Sequence, residues 1–272
     1  IEVRDDRGLR AFPDRDSMTP CSTRRQSVPL VPLPAQGRRY QQRRRVLLSD
    51  TTPEGRTRLD ALARFLHDVA TLDNTEAPLA DKGLWVIRSI ELDIATWPRY
   101  LDELDVITAV SGTGRAWAER RTDLARDGEL LVSAAAIWVN TNPQTGAPAS
   151  LPEGFEAVYG EAAQGRRVRP TLVLAEPDAA PDLDLELDLR LADLDIVDHV
   201  NNAVHLALVE EALWRAGASA TLDGAPTGVR VEFPRALPKG ERARVRAWLG
   251  AEPIVTIGDT DGTSSLTRVE RR

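Results

Sequence analysis

"LADLDIVDHVNNAVHLALVEEALWRAG", Leu191 to Gly217, sets the densest polar cluster of the chain directly before one of its most apolar helical runs. Asp193, Asp195, Asp198, His199, Asn201 and Asn202 crowd the first part. From Ala203 to Trp214 there is little polar face. A helix apolar nearly all round has to be wrapped on several sides rather than laid on a surface. A strongly curved antiparallel sheet folded round a helix supplies that environment, so the expected class is α+β.

Outward from this stretch the order of elements occurs twice. "TRLDALARFLHDVA" places Leu59, Leu62, Ala63, Leu66, Val69 and Ala70 on one helical face, with His67 on the polar side. "GLWVIRSIELDIATWP" follows with strand-forming residues, and "DELDVITAV…VNTNPQTG" reads as three more strands, with "SGTG" and "RDGE" as turns between them. In the second half "LDLELDLRL", the opening stretch, "GVRVEFPRALPKGERARVRAWLG" and "EPIVTIGDTDGTSSLTRVE" repeat strand, helix and strands. An offset of 143 superposes "SDTTPEGRTRLDAL" on "ADLDIVDHVNNAVH", bringing Asp50 onto Asp193 and Gly55 onto Asp198. An offset of 139 brings Ile90, Leu92 and Ile94 onto Val229, Val231 and Phe233. Order and periodicity indicate a divergent internal duplication. The expected organisation is a disordered basic leader over 1–42, a first domain over 43–155, an Ala/Pro/Gly-rich linker over 156–181 and a second domain over 182–272.

The bulk numbers agree with a soluble globular chain: 272 residues, 42% hydrophobic, 28% charged, and no apolar run as long as a membrane span. The single cysteine, Cys21, excludes an intramolecular disulfide and a cysteine-rich zinc site, which fits a reducing, cytoplasmic setting. A net charge of −7 argues against nucleic acid as the main partner. Residue 1 is isoleucine and the only methionine is Met18; between Met18 and Arg45 lie seven arginines and no acidic residue.

"DLDIVDHVNNAVHL" closely resembles the signature of acyl-ACP thioesterases, which have two tandem hotdog domains. The family pattern is Asp-Leu-Asp, an Asn two residues on, then His-Val-Asn-Asn at the helix start. "WVIRSIELDIATWPRYLDELDVIT", "SGTGRAWAERRTDL" and "AAIWVNTNPQTGAPASLP" resemble the first half of the same family. The resemblance implies two hotdogs, each a long helix wrapped by a curved antiparallel sheet. It also implies hydrolysis of a fatty-acyl thioester of acyl carrier protein, with no metal or diffusible cofactor. A helix N-terminus has unpaired N–H groups and a partial positive charge suited to a developing oxyanion, and the apolar helix behind it would wall a tunnel for the acyl chain.

By this resemblance Asp195 is the carboxylate that activates water or attacks the carbonyl, and His199 orients the water, shares its proton or polarises the substrate. Asn201 and Asn202 brace the turn and helix start. Taken singly, Asp193 and Asp195 suit turn and cap chemistry, and His199 a hydrogen-bonded loop. The chain departs from the family where Val197 replaces the Asn, and where Ala236 and Leu237 stand at the position of a catalytic Glu. Asp198 is a candidate to substitute. Thr52 and Arg56 stand opposite Asp195 and His199, so the first half is not a second site. The departures leave open a hotdog protein that binds acyl chains or carriers without cleaving them, and the carrier could equally be coenzyme A. His205 reads as a buried or rim histidine, not a metal ligand. Arg166, Arg167, Arg169, Arg120 and Arg121 are the candidate basic patch for an acidic carrier. Oligomeric state is open between a two-hotdog monomer and a homodimer.

Overall fold

In the computed structural model, residues 30–223, 226–240 and 242–271 are described. The first half runs β1 (Arg39–Arg45), α1 (Leu59–Glu76), β2 (Leu84–Ile94), β3 (Glu103–Thr113), β4 (Trp117–Arg126) and β5 (Glu129–Thr141), followed by a short α2 (Phe155–Ala163). The second runs β6 (Leu183–Asp188), α3 (Asn202–Arg215), β7 (Thr227–Glu232), β8 (Arg242–Trp248), β9 (Ile254–Asp259) and β10 (Gly262–Arg271). The ten strands form one antiparallel sheet in the order β1-β3-β4-β5-β2-β7-β10-β9-β8-β6. Read from each outer edge inward, both halves have the same plan: first strand, third, fourth, fifth, second. They join where β2 pairs with β7, Ile90 opposite Val231 and Leu92 opposite Val229.

Alternation explains why that junction holds. Ile90, Leu92 and Ile94 on β2, Val229 and Val231 on β7 and Phe233 just past its end are all buried, one face of each strand facing the helices. α1 presents Leu59, Leu62, Leu66 and Val69, and α3 presents Leu206, Val209 and Leu213, to one continuous apolar cluster that draws on both halves. The halves therefore share a core. The "RDGE" turn is a two-residue hairpin with positive φ at both Asp127 (51°) and Gly128 (82°), the conformation whose twist matches the flanking strands.

Several sequence expectations change. The leader expected over 1–42 ends earlier: Arg39 to Gln42 already pair with Val106 to Ala109 on β3, because alternating side chains let an arginine-rich strand cover a sheet edge. The part of that leader before residue 30, with Met18 and Cys21, lies outside the described residues. The expected linker begins as helix α2, whose Phe155 and Tyr159 pack with Leu79, Val110 and Ala118 in a second, smaller cluster. His67 is not on a solvent side; because α1 packs on α3 as well as on the sheet, its covered face is wider than the apolar stripe, and the ring meets Trp138 edge-on at 5.9 Å. Trp214 is 67% exposed, since one step of about 100° past Leu213 leaves the covered face. The basic patch is largely spent internally: Arg120 and Arg121 are buried, and Arg166 is paired with Glu119. No helix among the described residues is long and apolar enough to cross a membrane.

Candidate active site

The polar cluster before α3 is a tight loop whose backbone is reproduced, bond for bond, before α1. Asp195 N–H donates to His199 O at 2.8 Å and Thr52 N–H to Arg56 O at 2.8 Å. Asn201 N–H donates to Asp193 O and Arg58 N–H to Asp50 O, both at 2.9 Å. Leu194 bridges Val200 as Thr51 bridges Thr57. Each of these pairs is related by the offset of 143. The loop requires one left-handed residue, supplied by Gly55 (φ 79°) in the first half and by Asp198 (φ 61°) in the second. Aspartate tolerates that region better than most residues.

That conformation decides what Asp198 does. Its exposed carboxylate meets Lys239 Nζ at 3.2 Å, and no hydrogen bond ties it to Asp195 or His199 among the described residues. Asp195 is held inside the loop: its Oδ1 accepts the N–H groups of Val197 at 3.0 Å and His199 at 3.2 Å. The other carboxylate oxygen and the half-buried His199 ring make no hydrogen bond among the described residues. Val197 contributes its N–H to this turn while its side chain stays 44% exposed. The segment carrying Ala236 and Leu237 runs beside the loop, with Val200 N–H donating to Leu237 O at 2.9 Å and His199 bridging Pro238. Leu237 itself is buried in the core and Ala236 is exposed.

At the start of α3 Asn201 is the cap: its Oδ1 accepts Ala203 N–H at 2.9 Å and its carbonyl accepts Val204 N–H at 2.8 Å. The N–H of Asn202 finds no partner among the described residues. The equivalent N–H in the first half, that of Leu59, is closed: it donates to Glu210 Oε2 at 2.9 Å, a carboxylate brought from α3. Glu210 also pairs with Arg56 at 2.9 Å, and the Arg56 guanidinium stacks on Trp97 at 4.4 Å. Burial pushes the Glu210 carboxyl above its ordinary range while Arg56 pulls it back. A charged pair fills the place that a substrate carbonyl would need, so the first-half loop is blocked as well as lacking the motif.

Applying the same offset to the Leu59–Glu210 pair gives Asn202 and His67. His67, so aligned with Glu210, has an Nε2 that is buried without a hydrogen-bond partner. Sequence reasoning missed His67; the signal available was the offset of 143, which puts His67 onto Glu210. Burial, with Arg64 adding to it, pushes the His67 imidazole down to about 4. His205 is pushed down to about 4 by burial alone; its Nδ1 shares a hydrogen bond with Ser265 Oγ at 2.8 Å, and its ring stands edge-on to Phe233. No group of three or more His, Cys, Asp or Glu side chains placed to hold a metal occurs among the described residues. Both histidines are neutral when folded, whereas the unfolded chain protonates near pH 6.5. Their stabilising contribution is therefore complete above about pH 6.5 and is lost as pH falls toward 4, with a ceiling on the order of 3 kcal/mol each. Acid titration of the thermal midpoint should show a fall through this window. His205→Leu, which restores the residue found at the equivalent position 62, should make the fall shallower.

Residues 37–159 match the acyl-ACP thioesterase N-terminal domain and residues 177–249 the C-terminal domain. The chain belongs to the acyl-ACP thioesterase family. It is 24% identical over 220 residues to an uncharacterised protein of Mycobacterium tuberculosis, covering 80% of this chain and 85% of that one. It is 29% identical over 146 residues to a chloroplastic palmitoyl-acyl carrier protein thioesterase of Arabidopsis thaliana, 47% of this chain and 33% of the plant protein. The solved 12:0-ACP thioesterase of Umbellularia californica superposes with a TM-score of 0.71 at 16% identity, over 90% of this chain and 99% of that one, which shows the shared hotdog fold. Members of the family are thioester hydrolases, and the duplicated halves described above are its two hotdogs.

Proposed function

We propose that this member of the family hydrolyses a fatty-acyl thioester of acyl carrier protein at the start of α3, with one site per chain. The observation that carries the reading is the contrast between the two helix starts. Leu59 N–H is closed by Glu210, whereas Asn202 N–H and the Nε2 of His67, the residue that the offset of 143 aligns with Glu210, are both without partners among the described residues. A carbonyl oxygen fits the Asn202 N–H, where the partial positive end of the helix favours the negative charge that develops on attack. Asp195, fixed through one oxygen, uses the other to take a proton from the attacking water, whose oxygen bonds to the acyl carbon. As the C–S bond breaks, His199 protonates the leaving thiolate and takes up in turn the proton held by Asp195, so both side chains end as they began. His67 holds the water from the opposite side and supplies the polar partner that Val197 lacks. No step calls for a metal.

Beyond His67 the α1 face continues to a cavity of about 180 Å³ lined by Ala70, Thr71, Asn74, Trp85, Trp138 and Phe155 among others. The acyl chain runs along α1 into this space. Free-thiol release from panels of acyl-ACP and acyl-CoA thioesters tests the reading. Turnover of acyl-ACP supports it, turnover of acyl-CoA alone changes the carrier, and binding of acyl chains with no thiol release from either removes the hydrolase.

A pair of variants tests the water site. Losing one hydrogen bond to a charged or charge-developing group costs roughly 1.5–3 kcal/mol, which is about ten- to a hundredfold in rate. His67→Leu is therefore expected to lower kcat by at least about tenfold without lowering the thermal midpoint, since it removes a buried unpaired nitrogen. Val197→Asn should change turnover by less than about threefold. A large gain from Val197→Asn with no effect of His67→Leu would put the missing polar group back in the loop.

A further inference from the structure

The cavity beyond His67 is not lined as a plain hydrocarbon tunnel. Arg120 of β4 enters its wall although the residue is only 7% exposed. Its Nη2 donates to Asp73 Oδ2 at 2.6 Å, its guanidinium lies over the Tyr159 ring at 5.3 Å, and its Nη1 is buried with no hydrogen-bond partner. Asp73 is already shared: its Oδ1 accepts Arg38 Nε at 2.6 Å. Two guanidinium groups thus face one buried carboxylate, leaving a local surplus of one positive charge. Two neutral donors at the cavity wall are spent, since Asn74 Nδ2 and Trp85 Nε1 both donate to Lys82 O, at 3.0 and 2.7 Å. Beside the neutral Thr71 hydroxyl and Trp138 indole, Arg120 Nη1 is the charged donor left over.

That nitrogen is already shut off from water with nothing in return, which is costly for a neutral donor and more so for a charged one, and a saturated chain beside it would leave it so. An oxygen on the ligand would satisfy it with a charge-assisted hydrogen bond. We propose that the cavity is a subsite for an acyl chain carrying an oxygen function remote from the thioester, a hydroxyl or carboxylate that accepts from Arg120 Nη1. The inference rests on the acyl-thioesterase reading for what enters the cavity. His67 and Asn74 are seven residues apart on α1, so the oxygen sits roughly 10 Å beyond the thioester centre. The local positive surplus makes carboxylate the better occupant of the two.

The experiment compares saturated pantetheine thioesters, octanoyl to tetradecanoyl, with their ω-hydroxy and ω-carboxy analogues. At the matching length the oxygenated chain should be favoured at least tenfold in kcat/KM. Arg120→Met should abolish that preference, read as the ratio of kcat/KM for the oxygenated chain to that for the plain chain of equal length. The variant keeps Arg38 on Asp73, and its thermal midpoint reports whether it folds; Arg120→Lys, which keeps the charge and a donor, should retain part of the preference. Trp85 and Trp138 line the cavity, so binding is also read without turnover, by quenching of tryptophan fluorescence with the free ω-carboxy, ω-hydroxy and plain acids. Tighter binding of oxygenated acids by a protein that releases no thiol would keep the subsite and remove the hydrolase. Efficient hydrolysis with no preference among chain types, or equal quenching by all three acids, would overturn the subsite and leave the hydrolase standing.

Discussion

Asp195→Asn should lower thioester turnover by at least about a hundredfold while leaving the fold intact. The change separates the carboxylate's place in the turn from its proposed work as a base. Oδ1 of Asp195 organises the loop by accepting the N–H groups of Val197 and His199. An asparagine carbonyl can accept both, so the turn survives. What the amide cannot do is take a proton from water, and a positioned general base is worth about a hundred- to ten-thousandfold. His199→Ala should match it within about tenfold, because its ring stands outside the network that holds the loop. Steady-state rates on one acyl-ACP, with thermal midpoints for both variants, decide the matter. If Asp195→Asn keeps near-parental turnover, the carboxylate is a turn former only, and the chemistry has to be sought elsewhere along the start of α3.

The second large effect concerns stability and lies in the other half. Arg56→Ala would leave Glu210 buried without its cation, and Glu210→Ala would strand both Arg56 and the Leu59 N–H. Breaking a buried pair by removing one partner costs about 3–5 kcal/mol, because the remaining charge stays desolvated. At roughly 2–4 °C per kcal/mol for a chain of this size class, the midpoint should fall by about 10 °C. Arg56→Ala also loses the stacking on Trp97, so it should be the worse of the two. Thermal denaturation of both single variants and the double variant checks this; the double should be less damaging than the sum, since it removes both charges. A midpoint unchanged in either single variant would mean that the first helix start is not sealed as described.

Much of the architecture was legible because it is local or repeated. The stripe Leu59, Leu62, Leu66 and Val69, the alternation of β2 and β7, and the Asp-Gly hairpin each follow from the period of a helix, the period of a strand or the φ of a turn. The offset of 143 aligned the two polar segments residue by residue, and their hydrogen bonds repeat at that spacing down to the left-handed residue, Gly55 against Asp198. Where local patterns met composition alone, reading failed. Residues 156–181 look like a linker by their Ala, Pro and Gly content, yet Phe155 and Tyr159 anchor a helix there because they have an apolar cluster to fill.

The sequence by itself determined the duplication, the order of the elements and the position of the polar loop before α3, since all three are written in spacing along the chain. Tertiary structure decided which of the two equivalent helix starts is open. That choice depends on Glu210 reaching Leu59 from 151 residues away. It decided equally that Arg120, which reads as a surface arginine, is buried against Asp73 with a donor to spare. Periodicity shows which side of an element is apolar, but not which element comes to cover it. Those partners are fixed only when β2 joins β7 and the two helices pack together, and a polar group is then satisfied or stranded by neighbours that spacing along the chain does not reveal.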